Sequence, residues 1–310
     1  MSNAPQTEEK QSGSPTRAGF VALIGAPNAG KSTLLNALVG TKVSIVTHKA
    51  QTTRSLVRGI AIHKTTQIVF VDTPGIFTPR RRLDRAMVSA AWSGAADADL
   101  VALLVDARKG LSEEVTAILE ALAKRQAPRI LILNKIDLVK RDTLLALAAI
   151  TNAAATFDRT FMVSALNGDG TQDLNDFIAD AMPKGPWLYP EDQSADLPMR
   201  WLVAEITREK LMIRLHEELP YQTTVETGDW KETKDGGLRI EQTIFVERES
   251  QRKIVLGKGG KAIKAISMAA RKELSVILER PVHLFLFVKV RANWADDPER
   301  YREMGLEFPR

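Results

Sequence analysis

The stretch Gly25 to Thr33, which reads GAPNAGKST, constrains the fold more than any other part of the chain. It follows the apolar run 20–24 (FVALI) and precedes a helical pattern through Leu34, Leu35 and Leu38. A strand, a glycine-rich turn and a helix in this order predict a phosphate-binding P-loop. Glycines let backbone N–H groups approach phosphate oxygens, and the helix N-terminus favours negative charge. The predicted nucleotide-binding residues here are Gly25, Ala26, Pro27, Asn28, Ala29, Gly30, Lys31, Ser32 and Thr33.

The chemistry of a P-loop assigns roles within this stretch and in the loop that follows it. Lys31 is predicted to bridge the outer phosphates, and the Ser32 hydroxyl to ligate Mg²⁺. The polar loop from Thr41 to Arg58 contains KAQTTR, and a threonine there is predicted to reach the metal when the third phosphate is present. We expect that residue to be Thr53. Thr52 is the competing choice.

A second switch segment is predicted at Asp72-Thr73-Pro74-Gly75, directly after the strand pattern at 67–71. Asp72 would complete the Mg²⁺ shell, and Gly75 would offer its N–H to the γ-phosphate. The charged run that follows, from Arg80 to Arg85, is predicted to be an exposed mobile loop. A helix is expected after it, from Ala86 to Ala98.

The tetrad Asn134-Lys135-Ile136-Asp137 follows a predicted strand at 129–133 and indicates which base is bound. A carboxylate at Asp137 accepts hydrogen bonds from both N1–H and N2–H of guanine, two donors that adenine does not present together. Asn134 is predicted to join this loop to the P-loop, and the Lys135 stem to lie over the purine. Taken alone, the tetrad would be a helix-capping turn; after a P-loop it predicts guanine. The backbone N–H groups of Ser164, Ala165 and Leu166 are expected near the guanine O6.

Strand and helix patterns alternate through the first half of the chain, which predicts an α/β domain with a doubly wound, mostly parallel sheet. We place this domain at residues 18–182, after a disordered tail at 1–17 that is rich in Ser, Pro, Gln and Glu. The proline-rich stretch 183–198 is predicted to be a linker. Cysteine is absent from the sequence, which excludes a disulfide framework and is consistent with the cytosol. No apolar run has the length that spans a bilayer.

The second half, residues 199–310, predicts a smaller α+β domain. A helix at 199–219 is followed by a hairpin of strands at 221–230 and 238–246, a GKGG loop between two helices, and a strand at 282–290. This order is that of a type II KH domain, whose GxxG loop holds single-stranded nucleic acid by its backbone. A polar helix at 293–305 is expected to pack on the same domain. The predicted RNA-binding residues are Lys253, Gly257, Lys258, Gly259, Gly260, Lys261, Lys264 and Arg271.

Charge supports this interpretation of the second domain. The chain carries a modest net charge of +5. However, the segment 252–291 holds ten Lys or Arg residues and only two acidic ones, Glu273 and Glu279. Such a segment is often no more than a solvated basic surface, and it is also the electrostatic footprint of an RNA-binding module.

The motifs GAPNAGKS, QTTR, DTPG, NKID and VSA together resemble the translation-factor class of GTPases. With REKLMIRLHEELPY, GKGGKAIK and VKVRANW, the chain from Gly19 to Phe308 is similar to the Era family of ribosome-assembly GTPases. The resemblance implies binding of GTP, GDP and Mg²⁺, and of the 3′ end of 16S rRNA. It implies a role in maturation of the 30S ribosomal subunit. It also implies a monomer in the cytoplasm, in a family whose members can associate peripherally with the inner membrane.

The catalytic residues predicted from the motifs and the resemblance are Lys31, Thr53, Gly75 and Asn28. The residue after DTPG is Ile76, which cannot orient a water molecule as a glutamine would, so slow intrinsic hydrolysis is expected. Relatives with a similar P-loop can hold K⁺ against the phosphates with the asparagine that corresponds to Asn28. Two other functions stay open at this point. One is an RNA-binding protein with a purely structural nucleotide site, and the other is a GTPase that acts on tRNA modification or at a membrane.

Overall fold

The structure, a computed structural model, describes residues 16–309 and forms two domains. Most of the predicted disordered tail at 1–17 lies outside the described residues, and its last residue, Arg17, begins the first strand. Within the described range, strands and helices alternate through the first domain. They are β1 (Arg17–Gly25), α1 (Lys31–Val39), β2 (Val57–His63), β3 (Thr66–Asp72), α2 (Arg82–Ala96), β4 (Leu100–Asp106), α3 (Glu113–Ala123), β5 (Arg129–Asn134), α4 (Arg141–Ala154), β6 (Arg159–Val163) and α5 (Thr171–Ala181).

The strands of this domain form one sheet in the order β2-β3-β1-β4-β5-β6, in which β2 is antiparallel to its neighbour and the others are parallel. Strands β3 and β4 are buried along their whole length, as expected for strands covered on both faces. The prediction of a doubly wound, mostly parallel sheet is confirmed. The carboxyl ends of β1, β3, β4 and β5 meet at one edge, which is where ligands bind in such folds.

Alternate residues of β1 supply the two cores of this domain. Val21 and Leu23 pack with Leu34 of α1 and with residues of α5, including Ile178. On the opposite face, Ala22 and its alternate neighbour Ile24 pack with residues of α2, α3 and α4. The P-loop therefore leaves a strand that is fixed from both sides.

Two features of the first domain differ from the sequence prediction. Helix α2 begins at Arg82, so Arg82 and Arg85 are helical and do not belong to a mobile loop. The reason is Asp84, which is buried and accepts hydrogen bonds from the N–H groups of Arg80 and Arg81 at 3.0 Å each.

Helix α4 was not predicted from the sequence. Its exposed face is rich in Ala, Leu and Ile, which obscures its amphipathic pattern.

The second domain has the predicted type II KH order. Its elements are α6 (Met199–Arg214), β7 (Thr223–Glu232), β8 (Leu238–Val246), α7 (Glu249–Leu256), α8 (Lys261–Ile277) and β9 (Val282–Val290). The strands form a sheet β7-β8-β9 in which β8 pairs antiparallel with β7 and parallel with β9. The first helix is shorter than the predicted 199–219: it ends at Arg214, and a 3₁₀ turn at Leu219–Gln222 contains Pro220.

The segment after β9 does not pack on the KH domain alone, which corrects the prediction for 293–305. It contains a 3₁₀ turn (Trp294–Asp296) and a short helix, α9 (Pro298–Glu303). Tyr301 and Leu306 are buried against Leu83 and Met87 of α2, in the first domain. Apolar residues of this segment, among them Met304, Leu306 and Phe308, cover one face of α2. The sequence prediction missed this contact because it considered only the KH domain as a packing partner.

The stretch between the domains, 183–198, is described throughout and contains no helix or strand. It runs along β2 and β3: Trp187 donates its indole N–H to the carbonyl of Thr65 at 3.1 Å, and the Gln67 side chain binds the backbone of Leu188 and Tyr189. Among residues 16–309, none of the helices is both long enough and apolar enough to cross a membrane.

Candidate nucleotide-binding site

The turn from β1 into α1 adopts the geometry that a P-loop requires. Gly25 and Gly30 have positive φ angles of 152° and 100°. A Cβ atom at Gly30 would lie 2.1 Å from Nδ2 of Asn134, and one at Gly25 would lie 2.4 Å from the carbonyl oxygen of Leu104. Only glycine therefore lets the turn approach the neighbouring loops so closely.

Lys31 lies buried at the start of α1 and points back into the turn. Its ammonium donates hydrogen bonds to the carbonyl oxygens of Gly25 at 3.1 Å and Ala26 at 3.2 Å. Burial lowers the pKa of Lys31 to about 8, although the nearby Asp72 carboxylate acts in the opposite direction. The protein groups around Lys31 therefore do not fully compensate its positive charge. A bound phosphate group would supply the missing negative charge.

The three predicted Mg²⁺ ligands lie together below this turn. The Ser32 hydroxyl donates to Oδ2 of Asp72 at 2.6 Å and lies 3.0 Å from Oγ1 of Thr53. Thr53 also donates to the same carboxylate oxygen, at 3.3 Å. The other oxygen, Oδ1 of Asp72, is buried and has no hydrogen-bond partner among the described residues. Two hydroxyls beside a carboxylate with one unsatisfied buried oxygen are a donor set that fits Mg²⁺.

Burial raises the pKa of Asp72, and hydrogen bonds from Ser32, Ser44 and Thr53 oppose the change. A cation would favour the charged carboxylate in the same way. The geometry also distinguishes the two threonines, because the Thr52 hydroxyl is bonded to Thr47 at 2.7 Å and to the carbonyl of Lys49 at 2.8 Å. Thr53, the first choice from the sequence, is the one that faces Ser32.

The loop after β5 meets the P-loop through Asn134. Its Nδ2 donates to the carbonyl of Ala29 at 2.9 Å, and its Oδ1 accepts from the N–H of Ala165 at 3.0 Å. Ser164 donates to Oδ1 of Asp137 at 2.6 Å, so this carboxylate is oriented while its residue stays exposed. These contacts place Asp137 and the loop 164–166 on one side of the site, as expected for residues that read a base. Leu166 points into solvent, 79% exposed.

The structure adds a charged cluster that sequence analysis missed. Asp106, at the end of β4, accepts from Lys135 at 2.7 Å and from Arg108 at 2.7 Å. Burial disfavours its charge, but the hydrogen bonds from Arg108 and Lys135 outweigh that effect and hold the pKa of Asp106 at about 2. Lys135 also donates to the carbonyl of Asn28 at 2.5 Å. The sequence did contain a signal for Asp106: it is an acidic residue at the end of an apolar strand, as Asp72 is at the end of β3.

A cleft of about 440 Å³ lies between the P-loop, the loop around Thr53 and Lys135. The predicted residues that line it are Pro27, Asn28, Gly30, Lys31, Ser32, Thr33, Thr53, Gly75 and Lys135, whereas Asp72, Asn134, Asp137 and the loop 164–166 do not line it. Gly75 closes one side, since a Cβ atom there would lie 2.9 Å from Pro27. The side chain of Ile76 turns away into the core. Asn28 has a φ of 65° and donates its Nδ2 to the carbonyl of His48 at 2.9 Å, so the P-loop and the loop that carries Thr53 are in contact.

We call residues 41–56, which carry Thr53, switch I. Several residues of switch I form contacts with helix α6 of the second domain. Glu209 of α6 is buried; it accepts from Lys42 at 2.8 Å and from the N–H of Val46 at 2.8 Å. Arg208 of α6, 1% exposed, donates to the carbonyl of Thr52 at 2.5 Å. Ile45 belongs to the KH core cluster.

Arg54 extends this contact to the turn before β7. Its guanidinium is buried and donates to the carbonyls of Pro220 at 3.3 Å, Tyr221 at 3.1 Å and Thr223 at 2.9 Å. Sequence analysis assigned no role to Arg54, because a charged residue in a polar loop is ordinarily solvated. Its neighbour Thr53 thus lies between the predicted metal ligands, Ser32 and Asp72, and a residue that is fixed to the KH domain.

The GxxG loop lies between α7 and α8, away from the cleft. Gly257, Gly259 and Gly260 have positive φ angles of 73°, 59° and 73°. The predicted basic side chains around the loop are exposed and form no ion pair with another described residue; they are Lys253, Lys258, Lys261, Lys264 and Arg271. By contrast, Glu273 points toward the interface and binds Lys42 and Lys210.

Both domains of the chain match known protein families. Residues 20–135 match the family described as 50S ribosome-binding GTPase, and residues 218–295 match the KH domain. GTPase Era of Rhizobium meliloti is 67% identical over 296 residues, which cover 96% of this chain and 95% of the relative. GTPase Era of Sinorhizobium medicae is 64% identical over the full length of both chains. The chain belongs to the Era family of GTPases.

Solved Era structures share its fold. A variant of Aquifex aeolicus Era, bound to GDP and AlF₄⁻, is 39% identical with a TM-score of 0.89; the match covers 94% of this chain and 99% of that one. An Era in complex with MgGDPNP and nucleotides 1506–1542 of 16S ribosomal RNA gives a TM-score of 0.88 at the same identity and coverage. This Era-family chain is therefore a GTP-binding enzyme that hydrolyses GTP, and its second domain is a KH domain.

The pKa of Lys31 predicts how nucleotide affinity of this Era-family chain depends on pH. Phosphate favours charged Lys31, so the pKa rises above about 8 in the complex. Binding is then strongest below about pH 8 and takes up a proton above it, and affinity falls by up to about tenfold per pH unit as the pH rises further. Titration of GDP between pH 7 and 9, in buffers of different ionisation enthalpy, measures both effects. A constant affinity without proton uptake would contradict the prediction.

Proposed function

We propose that this Era-family chain is a GTP-hydrolysing switch that binds the 3′ end of 16S rRNA and acts in maturation of the 30S ribosomal subunit. The observation that carries the proposal is the position of switch I. Thr53 faces the metal ligands, while the residues on both sides of it are bonded to α6 and to the turn before β7 of the KH domain. A change at the γ-phosphate therefore has a direct route to the RNA-binding domain.

In the nucleotide site, the P-loop N–H groups and Lys31 would hold the phosphates. Ser32, Thr53 and Asp72 would hold Mg²⁺, which neutralises charge on the phosphate oxygens. Gly75 would offer its N–H to the γ-phosphate from a position in contact with Pro27. Asp137, oriented by Ser164, would accept two hydrogen bonds from guanine, while Asn134 keeps the base loop at a fixed distance from the P-loop.

In the KH domain, RNA would bind along the GxxG loop and its unpaired lysines. Positive φ angles and absent side chains at Gly259 and Gly260 let phosphates approach the backbone. The Era structure that contains nucleotides 1506–1542 of 16S rRNA supports the choice of RNA. We extend this to the 30S subunit, to a monomeric chain, and to a cytoplasmic location with peripheral contact to the inner membrane. We keep the domain limits of 18–182, extended by Arg17 of β1, and 199–310, joined by the stretch 183–198.

Coupling would follow from the buried charges of α6. When the third phosphate leaves, Thr53 loses its contact with the metal, and switch I becomes free to change conformation. Glu209 and Arg208 would then lose partners in a buried environment, which favours a rearrangement of the KH domain against the first domain. RNA affinity would depend on the bound nucleotide for this reason.

Hydrolysis would use Asn28 in place of a glutamine. The Ile76 side chain is in the core and has no polar group with which to orient water. Asn28 lies on the P-loop beside His48 of switch I, where its side-chain oxygen could hold K⁺ against the phosphates. K⁺ would supply positive charge where an arginine finger acts in other GTPases.

Asp137→Asn tests the choice of base. The amide retains the shape of the side chain but no longer accepts two hydrogen bonds, so we expect GTP affinity to fall by about a hundredfold or more and xanthine nucleotides to bind better than GTP. Competition with a fluorescent nucleotide measures both. Asp142→Asn, the same change at an exposed position of α4, should leave binding unaltered. Equal affinity of the unmodified chain for ATP and GTP would refute the assignment.

Gly259→Asp tests the RNA site. The position has a φ of 59°, which Asp tolerates better than most residues, and nothing lies within 4 Å of a Cβ atom there. The added carboxylate should repel phosphate and weaken binding of the 16S 3′ end by about tenfold or more, with unchanged GTP affinity. Gly305→Asp, at a φ of 66° and equally open, is the matched control. Unchanged RNA affinity of Gly259→Asp would refute the assignment of RNA binding to the GxxG loop.

Asn28→Ala tests the role of K⁺. We expect the unmodified chain to hydrolyse GTP faster in K⁺ than in Na⁺, with and without RNA. In Asn28→Ala the rate in K⁺ should fall by about tenfold or more, while the rate in Na⁺ should not change. Asn28→Asp keeps an oxygen at this position and should retain the stimulation. Equal rates in the two salts would exclude the cation. Absence of turnover in both would instead favour an RNA-binding protein with a structural nucleotide site.

A further inference from the structure

One face of the KH sheet carries exposed aromatic residues that the proposed function does not use. Along β9, alternate side chains point to opposite faces of the sheet. Leu284, Leu286 and Val288 pack into the KH core beneath the helices. Phe285 and Phe287 point the other way and are 44% and 48% exposed. Neighbouring exposed aromatic side chains form an apolar patch of the kind that marks interaction sites.

Cations accompany these rings. The guanidinium of Arg239, on the adjacent strand β8, lies 4.8 Å from the ring centre of Phe285. Lys289, the next outward residue of β9, is exposed and forms no ion pair with another described residue. Arg239 is bound to two carboxylates, Glu241 at 2.5 Å and Asp229 at 3.5 Å, so its charge is compensated while its guanidinium plane lies over the ring. We call Arg239, Phe285, Phe287 and Lys289 the β9 outer surface. It combines two aromatic rings and a guanidinium plane with the cation of Lys289.

The β9 outer surface lies along one edge of the sheet and is limited on its other side. Strand β9 is the edge strand beside α7, the helix that precedes the GxxG loop, and Arg252 of α7 donates to the carbonyl of Val288 at 3.2 Å. Toward β7 the same face is covered, because Arg300 lies over the ring of Phe245 at 5.1 Å and binds Glu226. The part along β9 stays open in the described structure.

We propose that the β9 outer surface is a second RNA-binding surface, on which Phe285 and Phe287 stack unpaired bases that lie beyond those held by the GxxG loop. The inference rests on the proposed RNA-binding function and adds a site to it. Aromatic rings and arginine planes are the groups that proteins stack on splayed bases. An RNA strand offers both bases that stack on these groups and a phosphate for Lys289, which an apolar protein partner does not offer.

The spacing of the two rings determines how the bases are arranged. Residues i and i+2 of a strand are about 6.7 Å apart, twice the spacing of about 3.4 Å between stacked bases. Each ring therefore takes its own base, and the RNA strand is extended across them. Lys289 lies one step further along β9, where it meets a phosphate. Because stacking depends on the ring face and not on base edges, the surface tolerates different bases.

The test compares two RNAs bound to the full chain. A short RNA of about six nucleotides fills the GxxG groove, and one of about twelve reaches the β9 outer surface as well. The double substitution F285A/F287A removes both rings. It should lower the affinity for the longer RNA by about 5-fold to 100-fold and leave the affinity for the shorter RNA unchanged. F285L/F287L keeps apolar area but no ring, and should lose nearly as much. Ile150→Ala, on an exposed site of α4, is the control.

Photocrosslinking of the unmodified chain gives a second measurement that does not depend on folding of a variant. Crosslinks from the outer nucleotides of the longer RNA should map to the peptide that contains Phe285 and Phe287. Their absence, or unchanged affinity of F285A/F287A for the longer RNA, would overturn the inference. A dimer that F285A/F287A dissociates would show that a second copy covers the surface instead. Gly259→Asp measured with the short RNA tests the proposed function separately.

Discussion

Two buried charges of opposite sign, Lys31 and Asp72, determine what this protein can bind. Each is removed from water, and neither is fully satisfied by the described residues: the ammonium donates its hydrogen bonds to carbonyl oxygens, and one carboxylate oxygen has no partner among them. Charged groups in such a setting are stable only when other charges or ligands compensate them. A phosphate beside the lysine and a cation beside the carboxylate satisfy both, and the close contact of the P-loop with Asn134 fixes the distance from these charges to the base loop.

The same principle extends to the contact between the domains. Glu209 and Arg208 are almost completely buried, and they bind partners on switch I. Each also keeps a charged partner on α6, Lys210 for Glu209 and Glu205 for Arg208, so separation from switch I would remove part of its compensation. Switch I and the first helix of the KH domain are therefore in direct contact. The two folds also meet through apolar packing, of Ile45 in the KH core and of Tyr301 and Leu306 against α2.

Much of this could be predicted from the sequence, because local patterns decide it. The P-loop turn, the alternation of strands and helices and the KH topology follow from motifs and periodicity over short stretches, and Thr53, the first choice from the sequence, lies beside Ser32 and Asp72. The features that were missed depend on residues far apart in the chain. Arg54 looked like a solvated loop residue, the segment around Tyr301 packs against α2, and Asp106 has its role only because Lys135 reaches it. A single sequence does not show which surfaces meet.

The contact between Val46 and Glu209 spans 163 residues of sequence. A growing polypeptide emerges at roughly 5–20 residues per second, and domains generally fold in order from the N-terminus. Switch I is consequently made on the order of ten seconds before the helix that holds it. The loop 164–166 and helix α5, which complete the first domain, are made late in that interval, so switch I is without its KH partner for longer than the complete first domain is.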